Sequence, residues 1–364
     1  MFGKALQKGV KYRARDADRE DVEVSCDFSL PFREQVARWL SQMPAGKPGE
    51  RVRVFSTGKA RVVVADELDC PDGFALSDVL VVRGDMRCGS RCQFTGPVFV
   101  GGVCEVGKNS KLMALAAGRR LVLGTGVRVS DWADAEGNVE ARAGVMVGGA
   151  LASRASIQLG EGAGAGALFA PGIAVGEVEQ GAPLEVASSK LVAWEAPHKG
   201  HKPDELEGGL AYGFKASKLT ALGADTWVYD GSLQFTAPVL LRTKLVVRGS
   251  FRCAGGSLLD DDVKTGGDLT VGGASMVHGH LTSKGNLTIG AGCYFSGDMR
   301  AGLSLRMRGG VRGFRRGGPV MIDCAGRVQL EPGVMIRGYV KSSQDVRACA
   351  AEPAGGIDLL LAEA

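Results

Sequence analysis

Aromatic side chains make up only 6% of this 364-residue chain, which is 45% hydrophobic and contains 55 glycines. So few rings leave little to fill a helical bundle or a broad mixed core. The balance favours tight turns and a narrow core of small β-branched side chains. No apolar run approaches the roughly 18 residues that a membrane span needs. The first residues, MFGKALQKGVKYRARDADRE, hold basic side chains but no apolar stretch of the signal-peptide kind. A strong charge bias is also missing. The 44 Lys and Arg against 40 Asp and Glu leave a net +4, too mild to mark a nucleic-acid-binding protein. Nine scattered cysteines, an odd number in a long chain, do not read as a disulfide framework and point to a reducing compartment. These absences predict a cytoplasmic protein, long enough for two domains.

What the chain has instead is a repeat. Leu269, Leu281, Leu287, Cys293, Met299, Leu305 and Val311 fall on a spacing of six, with Ser275 at the missing step. Two residues further on, Val271, Val277, Ile289, Phe295, Ala301 and Met307 keep the same spacing. Apolar residues at i and i+2 are what a short strand with one buried face requires. In the first half Leu121, Val127, Val139, Val145, Leu151, Ile157, Phe169 and Val175 keep the period, with Ala133 and Ala163 as small fillers. Gly272 and Gly290, like Gly279 and Gly297, lie one 18-residue beat apart. Three six-residue sides make one coil of a parallel β-helix, and the 3.6-residue period of a helix is absent. The predicted core register includes Leu269, Val271, Leu287, Ile289, Phe295 and Leu305.

A coarser repeat overlies this one. LVVRGDMRC (Leu80 to Cys88) recurs as LVVRGSFRC (Leu245 to Cys253). The expected fold is therefore all-β, a parallel β-helix solenoid in two tandem arrays. The expected segments are an N-terminal tail with an amphipathic helix (1–50), a first array (51–175), a polar connector (176–224), a second array (225–345) and a C-terminal tail (346–364). In SLPFREQVARWLSQMPAG, Phe32, Val36, Trp39, Leu40 and Met43 share one helical face, with Ser29 and Pro31 at its start and Pro44 and Gly46 at its stop. A helix that caps an exposed solenoid end is the expectation.

The stretch GHLTSKGNLTIGAGCYFSGDMRAG (Gly279 to Gly302) resembles the bactofilins, polymer-forming cytoskeletal proteins of bacteria. The likeness lies in the cadence of a glycine, a short apolar–polar strand, S-K-G, a strand ending I-G, and G-D-M-R. VQLEPGVMIRGYVKS (Val328 to Ser342) repeats it. The resemblance covers roughly Leu245 to Ser342 well and Leu80 to Val175 more loosely. It implies a right-handed β-helix that assembles end to end without nucleotide, at the inner face of the membrane. Several members begin M-F-x-K and touch the membrane there; this chain opens Met1-Phe2-Gly3-Lys4, so Met1, Phe2, Lys4 and Lys8 are the expected membrane contact. It differs from the usual family plan in having two arrays, a helix at Phe32 to Met43, and a tail ending IDLLLAEA, where Ile357, Leu359, Leu360 and Leu361 are placed to cover the last coil or dock a neighbour.

The period of six is shared with hexapeptide-repeat acyltransferases, the rival reading. Those enzymes need a histidine base. By parity His278 and His280 point outward, without an orienting partner visible in sequence. His198 and His201 lie in the connector, where a weak metal site would have only these two visible ligands. Cys88, Cys92 and Cys104 lack C-x-x-C spacing, and Cys293 reads as a small buried hydrophobe. No catalytic, cofactor-binding or metal-binding residues are assigned, and no cofactor is expected. Arg306, Arg308, Arg312, Arg315 and Arg316 form a candidate basic stripe, with the first three outward on one face. The reading is a non-enzymatic, bactofilin-like scaffold that polymerises with itself through β-helix ends, with an anionic membrane surface as a further partner and nucleic acid disfavoured. A hexapeptide-type acyltransferase and a capped, non-polymerising adaptor are the alternatives.

Overall fold

The computed structural model of the protein describes residues 29–43, 52–57, 60–177, 192–195, 211–212 and 214–351. It contains two compact units, residues 1–174 and 175–364. Each is a parallel β-solenoid in which a coil presents three short strands, one on each of three faces, here A, B and C. In the second unit Leu245, Val263, Leu281 and Met299 stack on face A. Phe251, Leu269, Leu287 and Leu305 stack on face B, and Leu259, Val277 and Phe295 on face C. Each partner lies one coil, 18 residues, further on. The predicted register holds: Leu269, Val271, Leu287, Ile289, Phe295 and Leu305 are all 0% exposed.

Beyond the first rung of face A, where Val62 faces Val79 at 17, the beat of 18 breaks in three places. In the first unit Phe94 faces Leu112, but Val98 faces Leu115, 17 residues on. Two residues, Met113 and Ala114, turn the corner that Thr95, Gly96 and Pro97 turn one coil earlier. Upstream, Leu80, Met86, Cys92, Val98, Cys104 and Ser110 are inward at period six; from Leu115 the phase is shifted by one. A second shift puts Leu151 opposite Leu168. Phe169, expected on the inward register, instead pairs with outward Ala152, and Leu168 and Ala170 fill the core at 0% exposure. The third break, in the second unit, places Met299 opposite Ile322, 23 residues on, before Val320 returns to Gly338 at 18. Residues 314–318 are that five-residue insertion.

At the start of the first unit a hairpin, β1 (Val52–Thr57) with β2 (Ala60–Ala65), adds an antiparallel strand to face A. At the start of the second unit each face of the first coil gains a strand. Leu219–Ala221 pairs antiparallel with Thr226–Tyr229, Ala211–Tyr212 antiparallel with Leu233–Phe235, and Val192–Glu195 parallel with Val239–Arg242. The stretch read as a polar connector thus contains short strands.

One α-helix occurs among the described residues, α1 (Leu30–Gln42). Its expected apolar face is the one it buries: Val36 and Trp39 pack with Val62, Val64 and Val81, and Phe32, Leu40 and Met43 join them. It lies along face A, however, and not over an end. The outward column of that face is Val64, Val81, Phe99, Ala116 and Asp134 on successive coils. Arg33 and Ser29, at the helix start, meet Asp134, while Trp39 meets the first coils. Thirteen helical residues span about 20 Å, and four coil steps of ~4.8 Å about 19 Å, so helix and column match in length. The lateral seat beats the end cap because this column offers a continuous apolar surface.

Polar contacts fix the seat. Arg33 Nη2 and Nε donate to Asp134 Oδ2 at 2.8 and 3.2 Å, and Nη2 also donates to the Ala117 carbonyl at 2.9 Å. The guanidinium lies 5.9 Å from the Phe99 ring centroid. Ser29, expected to cap the helix, makes no side-chain cap; its hydroxyl donates to Asp134 at 2.5 Å.

Ile289→Asp places a carboxylate without a partner in the dry core and is expected to cost about 3–5 kcal/mol, read as a lowered urea midpoint; an unchanged midpoint would place Ile289 outside the core. Asp134→Ala strands buried Ser29 and nearly buried Arg33, and is expected to cost about 2 kcal/mol and to speed amide exchange in α1. Asp323→Ala, at an outward position on face A of the second unit with its side chain 51% exposed, is expected to do neither.

Candidate functional site

The outward columns carry whatever the molecule presents, because the inward ones are closed by packing. On face C of the second unit the outward residues are Leu240, Leu258, Met276, Tyr294, Arg312 and Met335 on successive coils. Leu240 is buried and the others are half-buried. The equivalent column in the first unit is Ala75, Gln93, Lys111, Arg128 and Met146, so the apolar strip belongs to the second unit alone.

The insertion 314–318 flanks this strip. Phe314 stacks on Tyr294 with ring centroids 6.3 Å apart, and the Tyr294 hydroxyl donates to the Phe314 carbonyl at 3.2 Å. Arg315 turns back onto the coil, its Nε donating to the Ser296 carbonyl at 2.9 Å and Nη2 to Asp298 Oδ1 at 2.5 Å. Asp298 Oδ1 also accepts from the Met321 amide at 2.9 Å, which ties both ends of the insertion to one carboxylate. Insertions in a solenoid collect on the face that binds.

The five arginines of the predicted stripe do not share one face. Arg306 lies on face B and Arg312 on face C, with Arg308 at the corner between them. Alternation along one strand does not carry across a corner, so expecting one outward face for all three was wrong. Arg306 is held by Glu331, whose side chain is 4% exposed and accepts from Arg306 Nη2 at 2.8 Å, from Nε at 3.1 Å and from the Gly309 amide at 3.1 Å. Arg315 is engaged by Asp298. Arg312 is itself a rung of the strip; Arg308 precedes it at the corner, Arg316 lies in the insertion, and Arg337 follows Met335 by two residues.

His278 and His280 point outward, at 43% and 55% side-chain exposure, as parity required. Both have the neighbour that the sequence hid, one coil away. His278 Nδ1 lies 2.9 Å from Asp260 Oδ1, and His280 Nδ1 accepts from the Asp298 amide at 3.0 Å. An Asp–His pair is a base with an orienting group, but in the second case the carboxylate is 3.6 Å from the ring and already engaged with Arg315.

Among the described residues seven cysteines are buried as core filler, and Cys349 is half-buried. Burial pushes the Cys70 and Cys293 thiols up to about 12 and Cys253 up to about 11, while Cys88 and Cys104 are raised further. Cys293 Sγ donates to the Gly272 carbonyl at 3.1 Å, in the corner column where Ser275 Oγ accepts from the Ser257 amide one coil earlier and Ser257 Oγ donates to the Ala254 carbonyl. Among the described residues no group of three or more His, Cys, Asp or Glu is arranged to hold a metal ion, and no helix is long and apolar enough to cross a membrane. Met1, Phe2, Lys4, Lys8, His198, His201 and the IDLLLAEA tail lie outside the described residues.

No family model, curated protein or solved structure matches the chain.

His278→Ala combined with His280→Ala is expected to shift stability by less than about 1 kcal/mol, as exposed pairs do, and to leave any association unchanged. Saturable binding of an acyl carrier by the wild-type protein, lost in this double variant, would turn the pair into a catalytic site.

Proposed function

We propose that the protein is a non-enzymatic structural scaffold of the bactofilin kind, which works in the cytoplasm by associating with itself through strand edges at the ends of its β-helices. The observation that carries this reading is the open edge of the first unit. Among the described residues β1 pairs with β2 alone, and Val52 and Val54 stand 47% and 51% exposed on it. An edge strand with unpaired amides, carbonyls and apolar side chains is a template for another chain. On faces B and C the first strands, Leu68–Cys70 and Ala75–Leu76, pair among the described residues only onward, with Met86–Cys88 and Gln93–Phe94. The resemblance of Gly279 to Gly302 to bactofilin coils supports the same reading. Met1, Phe2, Lys4 and Lys8 are the proposed contact with an anionic membrane surface, each nearby basic residue contributing about 1 kcal/mol.

Two observations favour other readings. The first coil of the second unit carries added strands on all three faces, as a capped adaptor requires. The Asp260–His278 pair, a histidine with an orienting carboxylate, suits an acyltransferase.

Val54→Lys sets a charge on the exposed edge, the device by which natural edges are kept apart. Sedimentation velocity and negative-stain electron microscopy are expected to show assemblies of the wild-type protein and their loss in Val54→Lys, with the melting temperature held. A wild-type protein that stays monomeric at high concentration would leave the adaptor reading in place.

A further inference from the structure

The apolar strip on face C of the second unit has a basic rim and a nearby segment of opposite character. Met276, Tyr294 and Met335 with Phe314 make the strip. Arg312 interrupts it, Arg308 and Arg337 lie four and two residues from its rungs, and Arg316 belongs to the insertion whose Phe314 packs on Tyr294. Arg308 and Arg316 form no ion pair among the described residues. Such a surface is matched by a segment that is apolar and acidic and has no basic side chain, so that burying the strip also brings carboxylates to the guanidinium groups.

The chain itself supplies one. The last strand, Met335–Ala348, pairs in turn with Arg312–Gly313 on face C, Val320–Cys324 on face A and Val328–Leu330 on face B. It ends on face B, and in every earlier coil the chain passes from face B to face C. That order of faces directs the chain after Ala351 toward face C. Residues 352–364 read EPAGGIDLLLAEA, with Ile357, Leu359, Leu360 and Leu361 among Glu352, Asp358 and Glu363, and neither Lys nor Arg. Thirteen residues reach up to about 43 Å when extended. The four coil steps from Met335 back to Leu258 take about 19 Å.

The first unit solves the same problem in a comparable way. Its apolar column on face A is covered by α1 and locked where a cation of the helix, Arg33, meets a carboxylate of the face, Asp134. On face C of the second unit the charges are exchanged, arginines on the face and carboxylates on the segment. We infer that residues 352–364 dock on face C of the second β-helix, their leucines over Met276, Tyr294 and Met335 and their carboxylates toward Arg308, Arg312 and Arg316. The docked segment covers a lateral face and leaves the exposed edge of β1 as a surface for association.

A photo-crosslinking test in the full chain decides this. Leu360 is replaced by benzoylphenylalanine, and cross-linked peptides are mapped by mass spectrometry from an equal mixture of isotopically light and heavy protein. The expected result is a bond within one chain to Met276, Tyr294, Phe314 or Met335. Arg312→Glu should lower its yield at least ten-fold with the melting temperature held, and adding Asp358→Arg should restore at least half. Mixed light–heavy cross-links to the same residues would give the face to a second copy and overturn the inference. Cross-links elsewhere, none at all, or a yield indifferent to Arg312→Glu would also overturn it. Each of these outcomes is independent of the assembly measured with Val54→Lys.

Discussion

Everything in this molecule depends on the parallel ladder that sets residue i over residue i+18. Once the amides and carbonyls of one coil are paired with the next, each side chain has the same position on the coils above and below as its neighbours, and the structure becomes a set of columns. The columns impose strict demands at corners. A Cβ on Gly297 would stand 1.8 Å from the carbonyl oxygen of Gly279, and one on Gly279 2.1 Å from the carbonyl carbon of Asp261. The 18-residue beat of these glycines is the trace of coils approaching too closely for a side chain. At a different corner the backbone turns left-handed once per coil. Gly256, Gly292 and Gly310 occupy it, but so does Ala274 with φ 52°, at a cost of about 1–2 kcal/mol that the ladder on either side absorbs.

The same constraint makes partners out of residues far apart in sequence. Ser232 accepts from the Ser250 amide, Ser250 from that of Asp268, and Asp268 from that of Asn286. Arg83 reaches Asp66 in the first unit and Arg248 reaches Asp230 in the second, although these exposed pairs add little stability. The His278–Asp260 contact is one more such rung. Polar side chains on the solenoid are paired by geometry first, so an oriented histidine is a weaker sign of catalysis here than in an irregular cleft.

Because packing closes the inward columns, the two units can share a core and differ entirely outside it. On face A the outward sequence is Val81, Phe99, Ala116 and Asp134 in the first unit, and Val246, Lys264, Thr282 and Arg300 in the second. Only the first is a seat for an apolar helix. Val81, at 0% exposure, lies under α1, whereas Val246, at the same place in the repeated LVVRG motif, is half-exposed. The apolar strip of the second unit has moved to face C, beside the one insertion in its coils.

Period six, the beat of 18 and the tandem LVVRG motif made the solenoid, its duplication and the inward register readable from the chain alone, since strand alternation and coil length are local properties. The apolar face of α1 was equally local. Where α1 docks was not, because its seat is a column of single residues 17 or 18 positions apart, each unremarkable in its own stretch. The slip at Met113 and Ala114 concealed the earlier coils, and the insertion 314–318 concealed that the arginines around it diverge onto different faces. The aspartates beside His278 and His280, the carboxylate that holds Arg306, and the strip of Leu258, Met276, Tyr294 and Met335 exist only once coils are stacked. Spacing along the chain determined what each coil buries; the stacking of one coil on another decided what lies side by side on the surface.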